Sequence, residues 1–260
     1  MKPWYKIENK SDKAEIWIYE EIGQDFWTGG GVTAKKFQEE IAAIKQSQID
    51  LHINSPGGAV FDGVAIYNLI KQHPANVTTY IDGIAASIAS VIALAGDRVV
   101  MAENALYMMH NPSGMVMGTA SDMRSLADVL DKIRGTMTGV YAKKSGRTDD
   151  EISALLDAET WMTADEAKEF GFVDEIADEM DLAACAKFVP VMAKAGFKHI
   201  PKQIKAVLTA KEAEKGLRDA GFSRKEAKTI LSEGFPGNQR DADHPPAPRD
   251  VAPAVPESKD

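Results

Sequence analysis

Apolar and polar positions alternate along the first half of the chain in a pattern that predicts strands separated by amphipathic helices. Runs of aliphatic and β-branched residues predict five strands, at 14–22, 49–54, 77–81, 98–101 and 105–109. Apolar residues at helical spacing predict three helices between them, at 33–44, 60–73 and 85–95. Gly83 is expected to turn the chain from the third strand into the third helix. Strands and helices joined by short turns are typical of an α/β domain with a mostly parallel sheet.

The pattern becomes helical beyond residue 110. A long helix is expected at 121–143, where apolar residues recur at helical spacing. Four later helices are predicted from capping boxes, in which Glu lies three residues after Thr or Ser, at Thr148, Thr163, Thr209 and Ser223. The segment 171–176 is expected to return as a strand and close the domain.

Composition divides the chain into three parts. We expect a single α/β domain over 1–190, a small charged helical extension over 191–235 and a tail over 236–260. The tail contains six prolines and few large apolar residues. Such a segment cannot bury enough apolar surface to fold alone, so we expect it to be disordered.

Charge and cysteine content narrow the class of protein. A net charge of −9 argues against binding to nucleic acid, which needs a basic face. Cys185 is the single cysteine, so an internal disulfide is excluded and a reducing compartment is favoured. The N-terminus lacks the apolar core of a signal peptide, and the longest apolar stretch, 84–95, is too short to span a bilayer. We therefore expect a cytoplasmic protein without a membrane partner.

The sequence offers no pattern for a metal or a cofactor. None of the five histidines has the spaced His, Cys or carboxylate partners that are typical of zinc sites. Neither glycine-rich phosphate-binding motif is present. We therefore expect neither a metal nor a cofactor.

Three short motifs follow predicted strands and together supply the parts of a serine hydrolase. A Pro-Gly-Gly turn at 56–58 offers backbone N–H groups, Ser87 offers a nucleophile at the start of a helix, and His110 offers a base. The helix start favours Ser87 over Ser90, which we interpret as a packing residue, because free N–H groups and the helix dipole stabilise a developing anion there. An oxyanion hole needs two N–H donors, and the amides of Gly58 and Ile88 fit these roles.

These motifs, in this order, resemble the ClpP family of serine peptidases. The resemblance rests on the segments 53–58, 83–87, 109–112 and 161–174 and covers roughly residues 14–180. It implies a ClpP/crotonase-type α/β fold, a Ser–His–acid triad and heptameric rings that usually stack in pairs. It also implies that Ser87 is the nucleophile, His110 the base, and the Gly58 and Ile88 amides the oxyanion donors.

The resemblance leaves the acid of the triad open. The family usually has aspartate two residues before the aromatic residue at Trp161, and this chain has Glu159 there. Asp157 is the alternative, with the shorter side chain that is usual for this role, but it lies two residues earlier. We favour Glu159, since glutamate serves as the acid in some α/β-hydrolases.

The surroundings of the motifs suggest how substrate and partners would bind. The glycine-flanked segment around Gly114, Met115 and Val116 is predicted to bind an extended peptide by strand addition, although a plain hairpin loop is an alternative. The long helix that follows would then carry ring-to-ring contacts. The region after about residue 190 is expected to serve partner binding or targeting rather than hydrolysis. Truncation after Ala186 should therefore preserve cleavage of small peptides.

The sequence favours two biological roles and leaves two other classes open. The chain resembles either the proteolytic subunit of an ATP-dependent Clp protease, with an unfoldase ATPase as partner, or a phage head-maturation (prohead) protease that meets capsid or scaffold proteins. A crotonase-like acyl-CoA enzyme shares the fold but needs no Ser–His pair. A ring or scaffold protein without catalytic activity would keep the fold alone.

Overall fold

The computed structural model describes residues 3–23, 33–180, 188, 191–192, 195–201, 218, 223–225 and 228. The chain forms two compact units, Met1–Leu208 and Thr209–Asp260. Nearly all described residues belong to the first unit. The predicted helix starts at Thr209 and Ser223 and the tail over 236–260 therefore lie wholly or mainly outside the described residues, and the domain limits at 190 and 235 stay predictions.

Eight strands form one mixed sheet in the part of the first unit that the structure describes. Their bounds are β1 Tyr5–Asn9, β2 Ala14–Ile18, β3 Gln48–Ser55, β4 Asn76–Ala86, β5 Arg98–Ala102, β6 Leu106–Met109, β7 Thr160–Met162 and β8 Glu175–Ala177. The main path of the sheet runs β1-β2-β3-β4-β5-β8, and β6 pairs with β4 and with β7. Only the β1–β2 and β6–β7 pairs are antiparallel among these strands. The predicted α/β fold with a mostly parallel sheet is confirmed.

Six helices surround the sheet among the described residues, with the bounds α1 Ala34–Ile41, α2 Val60–Gln72, α3 Ile88–Ala93, α4 Ala120–Ser145, α5 Asp149–Asp157 and α6 Ala164–Glu169. The predicted capping boxes at Thr148 and Thr163 begin α5 and α6. A further box, formed by Thr119 and Asp122, begins α4. The sequence analysis missed this box because the residue three positions after Thr119 is aspartate rather than glutamate.

Strand β4 does not end at Gly83 as predicted. It continues to Ala86, and its two halves pair with different neighbours: Thr78–Ile81 with β5, and Ile84–Ala86 with β6. The second half is buried on both faces because a second apolar cluster covers the side that faces away from the main core. This extension carries the chain to Ser87, which lies between β4 and α3, and α3 is shorter than the predicted helix over 85–95.

Candidate active site

Ser87 forms the sharp turn between β4 and α3. Its backbone has φ 55° and ψ −130°, in the left-handed half of conformational space that residues other than glycine rarely adopt. A conformation of this kind costs about 1–3 kcal/mol and persists only where the surroundings enforce it. A strained strand-to-helix turn also presents the nucleophile of α/β-hydrolases. The half-buried Ser87 side chain is therefore held in the position that a nucleophile needs.

Hydrogen bonds from three elements hold this turn. The N–H of Ser87 donates to the carbonyl of Met108 on β6, over 3.0 Å. The Ser87 carbonyl accepts from the N–H of Ser90, at 3.0 Å, and from its hydroxyl, at 2.6 Å. The Ser90 hydroxyl is also 2.7 Å from the buried hydroxyl of Tyr141 on α4. Ser90, which we interpreted from the sequence as a packing residue, is thus also a polar support of the turn.

His110 follows β6 and lies beside the turn. Strands β4 and β6 are parallel, and Ala86 pairs with Met108, so the carboxyl ends of both strands meet at one edge of the sheet. The Nε2 atom of His110 is 2.8 Å from the Oγ atom of Ser87. This is within hydrogen-bonding distance, and a neutral imidazole with its proton on Nδ1 can accept the serine proton there.

Two opposing influences set the pKa of His110. Burial lowers it, because a desolvated imidazolium is disfavoured, and the charge of Glu159 partly offsets this by raising it. The net result is a pKa below the ordinary value for histidine. His110 therefore stays neutral, as a base must, at somewhat more acidic pH than a free imidazole.

The Pro-Gly-Gly turn packs directly against Ser87. A methyl group on Gly57 would lie 2.7 Å from the Cβ atom of Ser87 and 3.3 Å from the nitrogen of Ile88, so only glycine allows this approach. Ile22 fixes the turn, since its N–H donates to the Gly57 carbonyl over 2.7 Å and its carbonyl accepts from Ala59 over 2.9 Å. These two bonds do not use the N–H of the intervening Gly58. As the first residue of α3, Ile88 likewise has an N–H without an intrahelical acceptor.

The charge of Glu159 raises the pKa of His110, and no such influence comes from Asp157. The Glu159 side chain is 9% exposed, and its backbone is left-handed with φ 49°. Burial alone would raise the pKa of Glu159. The N–H groups of His199 and Lys198, the Trp161 side chain and the charge of His110 outweigh burial and hold the pKa below its ordinary value. The carboxylate is therefore ionised when His110 is neutral.

The carboxylate of Asp157 contacts Asn111 and Arg134. It accepts a hydrogen bond of 2.7 Å from the side-chain amide of Asn111 and forms an ion pair with Arg134 at 2.9 Å. The Asp157 side chain is 60% exposed. These contacts indicate a structural link between α5, α4 and the segment after His110.

The segment predicted to bind peptide lies between His110 and α4. Gly114, Met115 and Val116 belong to neither a strand nor a helix. The side chain of Met115 is 71% exposed and that of Val116 is 36% exposed. The segment is therefore exposed to solvent, and substrate binding by strand addition stays a prediction.

Sequence reasoning missed the contribution of residues beyond 190. The rings of Phe197 and His110 lie 4.9 Å apart, and the N–H groups of Lys198 and His199 bind the carboxylate of Glu159. No local pattern links positions so far apart in the chain. The large apolar residues Phe188, Met192, Phe197 and Ile200 were an available signal that this region packs against the rest of the domain.

Within the described part of the chain, no group of three or more His, Cys, Asp or Glu side chains converges as metal ligands would. Within it, too, no helix has the length and apolar character required to cross a membrane.

Comparison with known proteins places these features in a family. Residues 7–180 match the family model described as Clp protease. The chain is 37% identical over 138 residues to ATP-dependent Clp protease proteolytic subunit 3 of Streptomyces coelicolor. That match covers 52% of this chain and 63% of the relative, so it spans less than two thirds of the relative's length.

A solved structure agrees with the sequence match. The ClpP1 N165D mutant from Listeria monocytogenes superposes with a TM-score of 0.55 at 27% sequence identity. The superposition covers 64% of this chain and 91% of the solved chain. The family match extends over more than half of the chain and includes the turn at 56–58, Ser87 and His110. The chain therefore belongs to the Clp protease family of serine peptidases.

Proposed function

We propose that this protein is a serine endopeptidase that hydrolyses peptide bonds with Ser87 as nucleophile, His110 as base and Glu159 as acid. The observation that carries the proposal is the 2.8 Å contact between Ser87 Oγ and His110 Nε2 at a strained strand-to-helix turn. A nucleophile and a base at this distance are the minimum that acyl transfer requires.

The geometry supports a two-stage reaction. His110 Nε2 takes the proton of Ser87 as Oγ attacks the scissile carbonyl carbon, and the amides of Gly58 and Ile88 donate to the resulting oxyanion. His110 then gives the proton to the leaving amine, which breaks the peptide bond and leaves an acyl-enzyme. Water, activated by the same imidazole, hydrolyses the ester and restores Ser87.

Glu159 would keep His110 in the correct state. An ionised carboxylate favours the tautomer with the proton on Nδ1 and stabilises the imidazolium that forms during attack. The depressed pKa of Glu159 supports this role, because the carboxylate is then charged throughout the pH range in which His110 is neutral.

Labelling with a fluorophosphonate probe tests the nucleophile. The probe should modify the wild-type protein on Ser87, and Ser87→Ala should abolish both labelling and hydrolysis of fluorogenic peptides. Ser125→Ala is the matched control, because Ser125 is an exposed serine on α4 whose hydroxyl donates to the carbonyl of Ser121. Removal of one triad member commonly costs several powers of ten in rate, about 10⁴ or more.

The same experiment separates the proposal from the other classes. A crotonase-like acyl-CoA enzyme or a ring protein without catalytic activity would show no labelling of Ser87 and no peptide hydrolysis. Hydrolysis that persists in Ser87→Ala would remove Ser87 from the mechanism. Intact folding of the variant is checked by circular dichroism.

We further propose that the peptidase acts as a homo-oligomer, as a Clp proteolytic subunit or as a phage head-maturation protease. The first part of α4 supports assembly, since Met123 and Val129 are 54% and 40% exposed on a helix that is buried mainly near its end. Met123→Glu combined with Val129→Glu should reduce the molar mass in analytical ultracentrifugation, whereas Ser125→Glu should not. The two biological roles predict different substrates. Degradation of a folded protein only when an unfoldase ATPase is added would favour the Clp role. Cleavage of a capsid scaffold protein without ATP would favour the phage role.

A further inference from the structure

A second apolar cluster covers the face of β4 and β6 that is turned away from the main core. Its members come from the two strands and from residues beyond 187, and they are Ile84, Ala86, Met108, Phe188, Met192, Phe197 and Ile200. The strands that present Ser87 and His110 are therefore covered on this side by the chain's own later residues. We name the described residues 195–201 the clamp segment.

Two backbone hydrogen bonds fix the start of the clamp segment. The N–H of Ala195 donates to the carbonyl of Val191 over 2.9 Å, and the N–H of Phe197 donates to that of Met192 over 3.0 Å. Met192 is fully buried. The position of Phe197 is thus set by packing and by hydrogen bonds, and not by a loose surface contact.

Phe197 packs on the ring of the proposed base. Its ring centroid lies 4.9 Å from that of His110, with 44° between the ring planes, and 6.2 Å from that of Trp161. Phe197 is 9% exposed, so it shields this side of the imidazole from water. The Phe197 ring therefore occupies space into which the His110 ring would otherwise rotate.

The next two residues bind the proposed acid. The N–H of Lys198 lies 2.8 and 2.9 Å from the two carboxylate oxygens of Glu159, and the N–H of His199 lies 2.7 Å from one of them. A carboxylate held by backbone N–H groups has a fixed orientation and stays ionised. These hydrogen bonds also help to hold Glu159 in its left-handed backbone conformation.

We propose that the clamp segment is a positioning element of the catalytic centre, in which Phe197 holds the His110 ring and the N–H groups of Lys198 and His199 orient Glu159. This inference rests on the proposed function, since it concerns the same site. It replaces the expectation that the region after residue 190 serves partners alone, and it predicts that truncation after Ala186 abolishes peptide cleavage.

The first test compares Phe197→Ala with Phe197→Leu in the full-length chain. Phe197→Ala should lower kcat about 10- to 100-fold with little change in KM, because small misplacements of catalytic groups have effects of this size. Phe197→Leu keeps an apolar side chain over the ring and should retain most activity. An increase in kcat would mean that the segment inhibits the site, and an increase confined to KM would mean that it binds substrate; either result overturns the proposal.

The second test removes a backbone donor. Lys198→Pro deletes the N–H that reaches both oxygens of Glu159, and Lys198→Ala keeps that N–H while removing the side chain. The proline variant should lose activity to about the extent of Phe197→Ala, and the alanine variant should stay well above the proline variant. Equal activity of both variants would overturn the role of this N–H.

The pH dependence separates positioning from general destabilisation. The charged groups on the elements around His110 are Glu159, His199 at 3.9 Å from Glu159, and the Asp157–Arg134 pair. Burial lowers the pKa of His110, so removal of the Phe197 ring should raise that pKa and move the acidic limb of kcat/KM to higher pH. A merely less stable protein would lose activity without this shift.

An NMR titration of His110 decides the inference even if the protein hydrolyses no peptide. It is performed on Ser87→Ala, with and without Phe197→Ala, and monitors the imidazole carbon shifts. A higher pKa of His110 in the double variant supports the clamp, and identical values in the two proteins overturn it. Failure of the wild-type protein to cleave any peptide or to react with the probe would instead overturn the proposed function.

Discussion

The candidate site has two halves that are built in different ways. The first half is the pair Ser87 and His110, and the second half is Glu159 with the segment that binds it. Ser87 and His110 each follow a strand directly, and neighbouring parallel strands bring them together. Glu159 is instead held by N–H groups that lie 39 and 40 residues further along the chain. Neighbouring strands thus place the proposed nucleophile and base, and Phe197 packs on the His110 ring. The proposed acid depends on a distant segment of the chain for its hydrogen bonds. Changes in the second half should lower the rate without separating Ser87 from His110, and the predictions below test this difference.

The largest effect is expected from Glu159→Gln. This change removes the charge that stabilises the imidazolium of His110 and should lower kcat about 10²- to 10⁴-fold. Asp157→Asn should change kcat little, because Asp157 is exposed and engaged with Arg134 and Asn111. Both variants are measured with the same fluorogenic peptide under saturating conditions.

The reverse result would transfer the acid role to Asp157. Two small effects would leave a Ser–His pair as the whole catalytic unit, and the second half of the site would then have no function in hydrolysis. Labelling of Ser87 by the fluorophosphonate probe reports in each case whether the first half remains assembled.

Gly57→Ala should damage the first half directly. The added methyl group would meet Ser87 Cβ at 2.7 Å and the Ala86 carbonyl oxygen at 2.8 Å, on a backbone with φ 98°. Overpacking of this kind costs about 1–3 kcal/mol of unfolding free energy, and displacement of Ser87 should abolish most activity. Gly135→Ala is the control, since nothing lies within 4 Å of a methyl group there. Chemical denaturation and peptide hydrolysis measure the two effects, and equal stability of both variants would contradict the prediction.

The sequence predicts the first half well because its signals are local. A strand, a small polar residue and a helix in succession indicate the Ser87 turn, and an apolar run that ends at His110 indicates the base. The error at Gly83 shows the limit of such signals. Glycine in a strand pattern usually marks a break, but here pairing of Ala85 with Ser55 on β3 and with Tyr107 on β6 carries the strand onward.

The second half could not be predicted in the same way. Strand β7 has only three residues, too few to show an alternating pattern, and it is defined by antiparallel pairing with β6. The contacts of Phe197, Lys198 and His199 join segments that are distant in the chain. Hydrogen bonds from backbone N–H groups leave no trace in residue identity, since almost any residue can supply them.

Val116→Pro tests whether substrate adds as a strand beside His110. Proline removes one backbone donor from the exposed segment, and the loss of one such hydrogen bond, about 1–1.5 kcal/mol, should raise KM about tenfold. Val116→Ala retains the N–H and should leave KM near the wild-type value. Steady-state kinetics with a peptide of six or more residues distinguishes them. Unchanged kinetics in the proline variant would place substrate elsewhere.

A smaller effect is expected on the pH–rate profile, through the influence of Glu159 on the pKa of His110. Burial lowers the pKa of His110 and the charge of Glu159 raises it. Because the base acts when neutral, the acidic limb of kcat/KM should lie below about 6.5, the ordinary pKa of histidine. Loss of the charge in Glu159→Gln should move this limb to still lower pH in the residual activity. Movement to higher pH would mean that Glu159 does not act electrostatically on His110.

The smallest effect is expected from Tyr141→Phe, which probes how α4 supports the Ser87 turn. The Ser90 hydroxyl donates to the Ser87 carbonyl at 2.6 Å, so the Tyr141 hydroxyl is the donor in its own 2.7 Å contact with Ser90. Phenylalanine removes this donor but fills the same buried space, and the loss should be about 0.5–1.5 kcal/mol of unfolding free energy. Activity should stay within a few-fold of the wild type.

Ser90→Ala removes the bond to Ser87 itself and should lower kcat further at similar stability, because the strained turn then loses a support that the Tyr141 variant keeps. If the two variants have the same kcat, the Ser90 hydroxyl contributes to packing alone.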